Sequence, residues 1–364
     1  MPGLAILLVQ LGSNGDCLFV TTLARQIKEI DYPGCHLTWM IASSYKQVIE
    51  NNPNVDEIFE IDAPTREAMI EQRSKIPELI KEAGKQRKFH KVFVTDFSHN
   101  VQNWYGTTRS CLFRNYPERI VTDIRPDIFL TESEISNVRK FCTLKDIRQD
   151  TLNILMESSP QSGQSRMTTQ TALEMAKELS KKFSNLRIII STKEGIPEEH
   201  PCIIDGSVLT WKENAELINH CNLLVGCSSG ISWLGTSRFC KTIPSIQNID
   251  PSYWGQKMSA SFIDDYRFFN ADSSNIIELH NPQTSALQKC IESVLYDGIE
   301  KTKRKYKDHV GALFLNKKFL DESYMTLRQK KAIKRILFFK KPYWSMLSYM
   351  DRVKKFLLRK LSQS

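Results

Sequence analysis

An aspartate follows a glycine-rich turn near the start of the chain, in the stretch Gly12-Ser13-Asn14-Gly15-Asp16. The turn comes directly after an apolar run at residues 4–9, and a helical pattern follows with one apolar side, formed by Leu18, Leu23, Ile27 and Ile30. Strand, turn and helix in this order open an α/β domain, a fold that binds ligands beyond the C-terminal ends of its strands. A carboxylate placed there can accept the proton of a hydroxyl group, so Asp16 is the candidate general base. The alternative is that Asp16 only caps the helix, which contributes about 1 kcal/mol.

A second candidate loop, Gly226-Cys227-Ser228-Ser229-Gly230, follows an apolar strand predicted at residues 222–225. Small residues at the start of a helix let backbone N–H groups and hydroxyls approach an anion, which suits the diphosphate of a nucleotide. The alternative is a tight turn with capping serines. The first loop has neither GxGxxG nor Walker spacing, and its acid would repel a pyrophosphate. We therefore expect the first loop to activate a hydroxyl, and Ser228, Ser229 and Gly230 to bind a phosphorylated donor.

Four other side chains could contribute to such a site. His99 lies in a polar loop after a strand predicted at residues 91–96 and could assist the acceptor or the base. Lys193 follows an apolar strand and could reach a donor phosphate. An exposed loop histidine and a solvated turn lysine are the alternatives. Trp211 and Trp233 could stack on a base or a sugar, although packing in the core is their default role.

The elements that must position these residues form two series of alternating strands and helices, with a boundary near residue 150. In the first series we predict strands at residues 4–9, 37–41, 55–61 and 91–96, short strands at 119–121 and 128–130, and helices at 45–51, from about 62 to Gly84, and at 132–141. In the second we predict strands at 152–156, 186–190, 222–225 and 242–246, and helices at 169–183, 211–220 and 231–237. This order predicts an α/β protein of two Rossmann-like domains facing a cleft. The acceptor side would be residues 1–150 and the donor side residues 151–325.

The length and composition are typical of a globular protein without a membrane-spanning segment. The chain has 364 residues, 41% of them apolar, which is enough for two domains and an appendage. No apolar run approaches the roughly 20 residues of a membrane-spanning helix, and no basic segment precedes the apolar start as in a signal peptide. The nine cysteines include no CxxC pair, which is typical of thiols in a reducing compartment. We therefore expect a cytoplasmic protein.

The net charge of +9 is concentrated in a C-terminal tail, residues 326–364. From residue 328 to 360 the chain carries 12 Lys and Arg against one acid, so the remainder is slightly acidic. No nucleic-acid reader motif accompanies this charge, so no nucleic-acid partner is expected. The tail contains basic amphipathic patterns, one with Met346, Met350, Val353, Leu357 and Leu361 at helical spacing. We expect residues 300–325 to pack back on the body and residues 328–361 to lie on an anionic membrane surface. The alternative is a tail that packs entirely on the body.

The sequence around the two loops resembles a known family. LLVQLGSNGDCLFVTTLARQIKE, followed by TWMIASSY and NPNVDEIFEID, is similar to the N-terminal domain of the heptosyltransferase-type glycosyltransferases, glycosyltransferase family 9 with the GT-B fold. ELINHCNLLVGCSSGISWLGTS is similar to the segment where that family ends a strand in Asp-Ser-Gly before a helix. The resemblance covers roughly residues 4–245 and is specific at the two loops. It implies transfer of a sugar from a nucleotide donor to a lipopolysaccharide-type acceptor, with inversion and without a metal.

The resemblance also assigns roles to single residues. Asp16 matches the family's general base, which places Ser13, Asn14 and Gly15 on the acceptor side. Ser229 and Gly230 match the Ser-Gly of the donor loop. Arg166 lies where the family has a basic residue near the donor phosphates, and Glu216 falls on the helix before the donor loop, where nucleotide contacts are expected.

Two positions depart from the family. Ser228 stands where the family has an acid that contacts the donor, and Trp233 where it commonly has a histidine, so ADP-heptose is not assumed to be the donor. No DxD motif is present, since Asp264 and Asp265 are adjacent, and no metal or other cofactor is expected. The sequence thus predicts a peripheral membrane glycosyltransferase acting on a lipid-linked or lipopolysaccharide-type saccharide. The alternatives are a nucleotide-sugar 2-epimerase of the same fold, and a non-catalytic membrane-associated protein that binds nucleotide sugars.

Overall fold

The computed structural model describes residues 3–96, 106–158, 164–197, 200–250, 261–306, 317–336 and 338–339. The first of two β-sheets has four parallel strands in the order β3-β2-β1-β4. Its strands are β1 (Ala5–Val9), β2 (His36–Ala42), β3 (Glu57–Ile61) and β4 (Lys91–Val94). The helices of this half are α1 (Asn14–Gln26), which continues into a π-helical turn (Ile27–Asp31), α2 (Arg66–Arg73), α3 (Ile76–Gln86), α4 (Thr108–Leu112) and α5 (Glu132–Leu144). A short 3₁₀ helix (Ser43–Val48) follows β2.

The second sheet has six parallel strands in the order β10-β9-β8-β5-β6-β7. Its strands are β5 (Leu152–Glu157), β6 (Leu186–Ser191), β7 (Ile203–Asp205), β8 (Leu223–Gly226), β9 (Ser245–Ile249) and β10 (Ile276–His280). The helices are α6 (Thr169–Ser180), α7 (Asn214–Asn219), α8 (Gly230–Leu234), α9 (Phe262–Phe269), α10 (Thr284–Asp297), α11 (Ile299–Lys305) and α12 (Lys317–Glu322). The predicted fold class, an α/β protein with two Rossmann-like halves, is confirmed.

The central strand β1 is buried on both faces, as its unbroken apolar run predicts. Ile6 and Leu8 pack into one apolar cluster, whereas Leu7 and Val9 pack into another on the opposite face of the sheet. The alternation follows from the period of two along a strand. Helices cover both faces of the sheet, so a ligand can approach β1 only at the ends of the strands.

Aromatic side chains join the two halves. The ring of Phe19, on α1, lies 5.1 Å from Trp233 of α8 and 5.8 Å from Phe269 of α9. Trp233 in turn lies 4.1 Å from Phe262. All four side chains are buried, which makes the contact between the halves apolar and continuous with the core. Because of this contact, α1 is buried on most of its surface and not on a single face.

The segment predicted to form short strands at residues 119–121 and 128–130 joins neither sheet, so that prediction is wrong. Its backbone groups are satisfied by side chains of α1. Gln26 donates to the carbonyl of Arg119 (2.7 Å) and accepts from the N–H of Val121 (2.8 Å). Arg25, 2% exposed, pairs with Asp127 in the same segment. Polar residues of a helix thus replace the neighbouring strand that the segment lacks.

Two other predicted boundaries shift because of proline. The charged helix expected up to Gly84 is split into α2 and α3, since Pro77 is accommodated in the first turn of a new helix. Gly84 lies inside α3 and does not end it. The strand predicted at residues 242–246 begins only at Ser245, after Pro244.

After α11, residues 317–325 pack against both halves of the molecule. Phe319 of α12 is fully buried and lies 5.1 Å from Phe268, and the ring of Tyr324 lies 5.6 Å from Phe269. The Tyr324 hydroxyl accepts the N–H of Ile120 (3.0 Å), so residues 317–325 contact both sides of the molecule. Residues 327–336 then form a largely exposed helix. Residues 340–364, which include the second amphipathic pattern of the tail, lie outside the described residues.

Candidate active site

Asp16 lies in the first turn of α1, beyond the C-terminal end of β1. One carboxylate oxygen accepts from the backbone N–H and the hydroxyl of Ser13, both at 3.3 Å. The other oxygen is paired with the guanidinium of Arg109. The carboxylate therefore closes the helix start, as the capping alternative predicts, and also belongs to a buried charge pair, which that alternative does not require.

Arg109 was not identified from the sequence. It belongs to the five-residue helix α4 and is 4% exposed. Its backbone N–H donates to Asp265 of α9 (2.8 Å), and its guanidinium lies 4.8 Å from the centre of the Trp233 ring on α8. A residue of the N-terminal half is thus held by two helices of the C-terminal half.

The two predicted loops meet at Gly15 and Gly230. A Cβ atom on Gly15 would lie 3.4 Å from the Cα of Gly230 and 3.2 Å from Nη2 of Arg109. A Cβ atom on Gly230 would lie 2.7 Å from Nε1 of Trp211 and 3.5 Å from the Cβ of Asn14. The structure therefore brings Asn14 and Gly15, and with them Asp16, to the start of α8. A side chain would be tight at Gly15 and would collide with Trp211 at Gly230.

The donor loop is already occupied by an internal carboxylate, that of Glu157 at the end of β5. It accepts from the N–H of Cys227 (3.3 Å) and from the hydroxyls of Ser232 (3.1 Å) and Ser229. The Ser229 hydroxyl and the Cys227 N–H, which lie in the loop assigned to a phosphate, are thus directed at Glu157. From the end of β5, this carboxylate holds the loop in its conformation.

Burial perturbs two acids next to the site. Loss of hydration raises the pKa of the Glu157 carboxyl to about 7, although the Cys227 N–H and the Ser232 hydroxyl oppose the shift. Burial likewise raises the pKa of Asp265 to about 7, opposed by the charge of Arg109 and by a hydrogen bond from Thr107. Both acids therefore change charge near neutral pH. Of the adjacent pair, Asp265 holds α4, and Asp264 pairs with Arg267 at 2.6 Å.

Ser228, which replaces the acid of the resembling family, has a left-handed backbone with φ of 54°. Its side chain is buried, and its N–H donates to the side chain of Gln247 on β9 (2.8 Å). This backbone conformation is uncommon for a residue with a side chain and turns the loop sharply into α8.

The remaining predicted residues either make no hydrogen bond or ion pair with the two loops in the described part of the chain, or lie outside it. Arg166 has a 77% exposed side chain and pairs with Asp250 (2.8 Å). Glu216 of α7 contacts His220 (3.3 Å) and Arg139 (3.8 Å), and within the described part of the chain no hydrogen bond or ion pair joins it to the donor loop. Lys193 is exposed on the turn after β6. His99 lies in the segment 97–105, outside the described residues.

Some of the missed residues carried a signal in the sequence. Glu157 ends an apolar run and precedes a serine-rich stretch, and a carboxylate at the end of a buried strand is a recognisable candidate for a perturbed acid. Arg109 has no such local signal, because its role depends on contacts with Asp16, Trp233 and Asp265, which are distant in sequence.

No arrangement of three or more His, Cys, Asp and Glu side chains suited to a metal ion occurs among the described residues. The expectation that no metal or other cofactor is required stays a prediction.

Comparisons with known proteins identify the fold. No family model and no curated protein sequence matches the chain. A glycosyltransferase family 9 structure from Veillonella parvula is similar over 83% of this chain and 95% of its own, with 16% identity and a TM-score of 0.56. ADP-heptose LPS heptosyltransferase II of Escherichia coli is similar over 81% and 99%, with 12% identity and a TM-score of 0.52. A protein from Listeria monocytogenes assigned as a UDP-N-acetylglucosamine 2-epimerase is similar over 85% and 94%, with 10% identity and a TM-score of 0.51.

These similarities agree with the family resemblance seen in the sequence at the level of the fold. The chain has the heptosyltransferase-like fold of glycosyltransferase family 9, and it spans nearly the whole length of these structures. Proteins described as transferases and as an epimerase share the fold, so the fold does not distinguish these two chemistries.

The approach of the two loops predicts a cost for any side chain at Gly230. In Gly230→Ala the new Cβ would collide with the indole of Trp211, and we expect a loss of about 1–3 kcal/mol in the free energy of unfolding. Denaturant unfolding measures it. Gly84→Ala is the matched control, because apart from the backbone of its own helix no atom lies within 4 Å of its Cβ position. That helical site should gain about 0.5–1 kcal/mol. Equal effects at both positions would contradict the close contact.

The buried Glu157 predicts a pH dependence of stability. Its folded-state pKa of about 7 lies above the ordinary value of 4.5, so the folded chain keeps a proton that the unfolded chain releases between these values. Stability should therefore be highest below about pH 4.5 and fall as the pH rises to 7, by about 3 kcal/mol from this group.

Glu157→Gln imitates the protonated acid and should remove this part of the pH dependence. Thermal unfolding at pH 5 and pH 8 measures it, with the exposed Glu174→Gln as the control. Asp265 acts in the same direction in both proteins, so some dependence remains. A variant as pH-sensitive as the wild type would show that Glu157 is ionised in the fold at both pH values.

Proposed function

We propose that this chain is a glycosyltransferase that moves a sugar from a nucleotide-sugar donor to a hydroxyl of a lipid-linked or lipopolysaccharide-type saccharide. The reaction proceeds with inversion and without a metal. The observation that carries the proposal is the contact of Gly15, the residue before Asp16, with Gly230, which joins the first turn of α1 to the donor loop. A base at this junction serves a hydroxyl that attacks a donor held by the opposite half.

The proposed reaction is a single displacement. Asp16 accepts the proton of the acceptor hydroxyl, whose oxygen attacks the anomeric carbon from the face opposite the diphosphate. The bond between the anomeric carbon and the diphosphate oxygen breaks, and its electron pair leaves with the nucleoside diphosphate. Cationic side chains that contact the diphosphate offset the charge that develops on the leaving group. One inversion of the anomeric carbon results.

Glu157 supports the donor side of the proposal indirectly. Its contacts with Cys227, Ser229 and Ser232 hold the loop in one conformation before the donor arrives. A preorganised loop loses less conformational entropy when it binds a ligand. Arg166 and Lys193 are the exposed cations of this half that the family resemblance and the sequence pattern assign to the donor phosphates.

The helix at residues 327–336 supports a membrane-bound acceptor. It carries a dense set of basic residues, namely Arg328, Lys330, Lys331, Lys334 and Arg335. Large apolar side chains at and after it are exposed, among them Leu327 at 70%, Phe338 at 76% and Phe339 at 80%. Among the described residues no helix has both the length and the apolar composition needed to cross a bilayer. We propose that this surface lies on anionic lipid, where a lipid-linked acceptor is found.

Donor turnover tests the proposed activity. ADP-, UDP-, GDP- and CDP-linked sugars are first screened by thermal shift, since a bound ligand raises the melting temperature. The stabilising donor is then incubated with a lipid-linked saccharide acceptor, and release of the nucleoside diphosphate is measured. Asp16→Asn should slow transfer by about 10²–10⁴-fold, the usual contribution of a general base. Asp62→Asn, an exposed aspartate after β3, is the control and should keep full activity.

Two results would contradict the proposal. Transfer at the wild-type rate in Asp16→Asn would exclude this residue as the base. Release of a nucleotide sugar with an altered sugar, in the absence of an acceptor, would identify an epimerase instead.

Charge reversal tests the membrane surface. Changing Lys330, Lys331 and Lys334 to Glu should abolish co-sedimentation with phosphatidylglycerol vesicles, because each cation near the surface contributes about 1 kcal/mol. The matched control changes three exposed lysines of the α3 region, Lys81, Lys85 and Lys88, and alters the net charge by the same amount. Equal binding of both variants would contradict the assignment of the membrane surface to this helix.

A further inference from the structure

A buried cation stands between the two loops of the site. Arg109 lies in the N-terminal half of the chain, yet its backbone is bonded to Asp265 and its guanidinium packs on Trp233, both in the C-terminal half. These contacts fix its position relative to the donor loop and not only relative to Asp16. Arg109 therefore contacts residues of both halves at the same time.

The guanidinium has unused hydrogen-bonding capacity. One terminal nitrogen pairs with Asp16, whereas the buried Nε has no hydrogen-bond partner among the described residues. The other terminal nitrogen lies 3.2 Å from the Cβ position of Gly15, and the Cα of Gly230 lies 3.4 Å from that same position. A further oxygen arriving at Gly230 would thus meet an N–H donor of Arg109 that is already held in place.

The donor loop itself offers little to an anion. The N–H of Cys227 and the hydroxyl of Ser229 are directed at Glu157. Arg166 is mostly exposed and paired with Asp250, and Lys193 is exposed on a turn. A diphosphate seated at Gly230 would therefore find its buried positive charge in Arg109, which is bound to Asp16 in the ligand-free chain.

We propose that Arg109 exchanges partners during the reaction, leaving Asp16 for the diphosphate of the bound donor. This inference rests on the proposed function and adds a residue to it. The exchange releases the Asp16 carboxylate from its ion pair, so the base becomes available only when the donor is in place. Binding in the order donor first, acceptor second follows from this coupling.

The exchange predicts that loss of a residue from the site strengthens nucleotide binding. Because Asp16 competes with the diphosphate for the same guanidinium, removing its charge should tighten nucleoside diphosphate binding while it slows transfer. If the pair only stabilised the fold, the same change would weaken binding or leave it unaltered.

Calorimetric titration of ADP, UDP and GDP into the full-length chain tests the exchange. We expect Asp16→Asn to lower the Kd of the nucleotide that binds by about tenfold, the value of one charge-assisted hydrogen bond. Arg109→Gln should raise the Kd by a similar factor, Arg109→Lys by less, and the double variant should match Arg109→Gln. Asp146→Asn is the charge-matched control, since Asp146 also pairs with an arginine, Arg187 at the start of β6, away from the site. Its Kd should equal the wild-type value.

Failure of the exchange and failure of the proposed transfer give different results. Unchanged or weaker binding in Asp16→Asn, with wild-type binding intact, overturns the exchange and leaves the transferase proposal standing. Tighter binding that persists in the double variant or occurs in Asp146→Asn also overturns it, because bulk charge would then be the cause. If no nucleotide binds the wild type, the proposed function fails and the exchange fails with it. If Arg109→Gln does not fold, the comparison of Asp16→Asn with Asp146→Asn still decides.

Discussion

The contact between the first turn of α1 and the first turn of α8 is the constraint on which the rest of the site depends. Gly15 and Gly230 let the two helix starts approach closely, since a Cβ at Gly15 would lie only 3.4 Å from the Cα of Gly230. This approach places Asp16, which the first sheet positions, beside the donor loop, which the second sheet positions. The aromatic contacts of Phe19 with Trp233 and Phe269 hold the halves in this register. The site exists only because the two halves are packed together.

Buried charge is arranged so that each acid at the junction has partners from another element. Asp16 is paired with Arg109 of α4, Glu157 is bonded to the loop after β8, and Asp265 accepts from the backbone of α4. An acid without such partners would be too costly to bury. Within the part of the chain that the structure describes, the carboxylates of Glu157 and Asp265 form no ion pair with a cationic side chain. In these two acids burial raises the pKa to about 7.

The departures from the resembling family have structural counterparts. Trp233, at the position where the family commonly has a histidine, provides the ring on which the Arg109 guanidinium packs. At Ser228 the loop lacks the family's acid, and the neighbouring carboxylate comes instead from Glu157, which lies beneath the loop.

The sequence by itself determined the two α/β units, most strands of both sheets and the two loops that meet at the site, because apolar runs and glycine-rich turns are local signals. Only the tertiary structure decided that Arg109 pairs with Asp16 and that Glu157 fills the loop, since these partners are 93 and 72 residues apart in the chain. It also decided that the segment after residue 119 is not a strand, because Arg25 and Gln26 take the place of a neighbouring strand. Patterns along the chain specify elements, whereas the partners of buried charges are specified by packing.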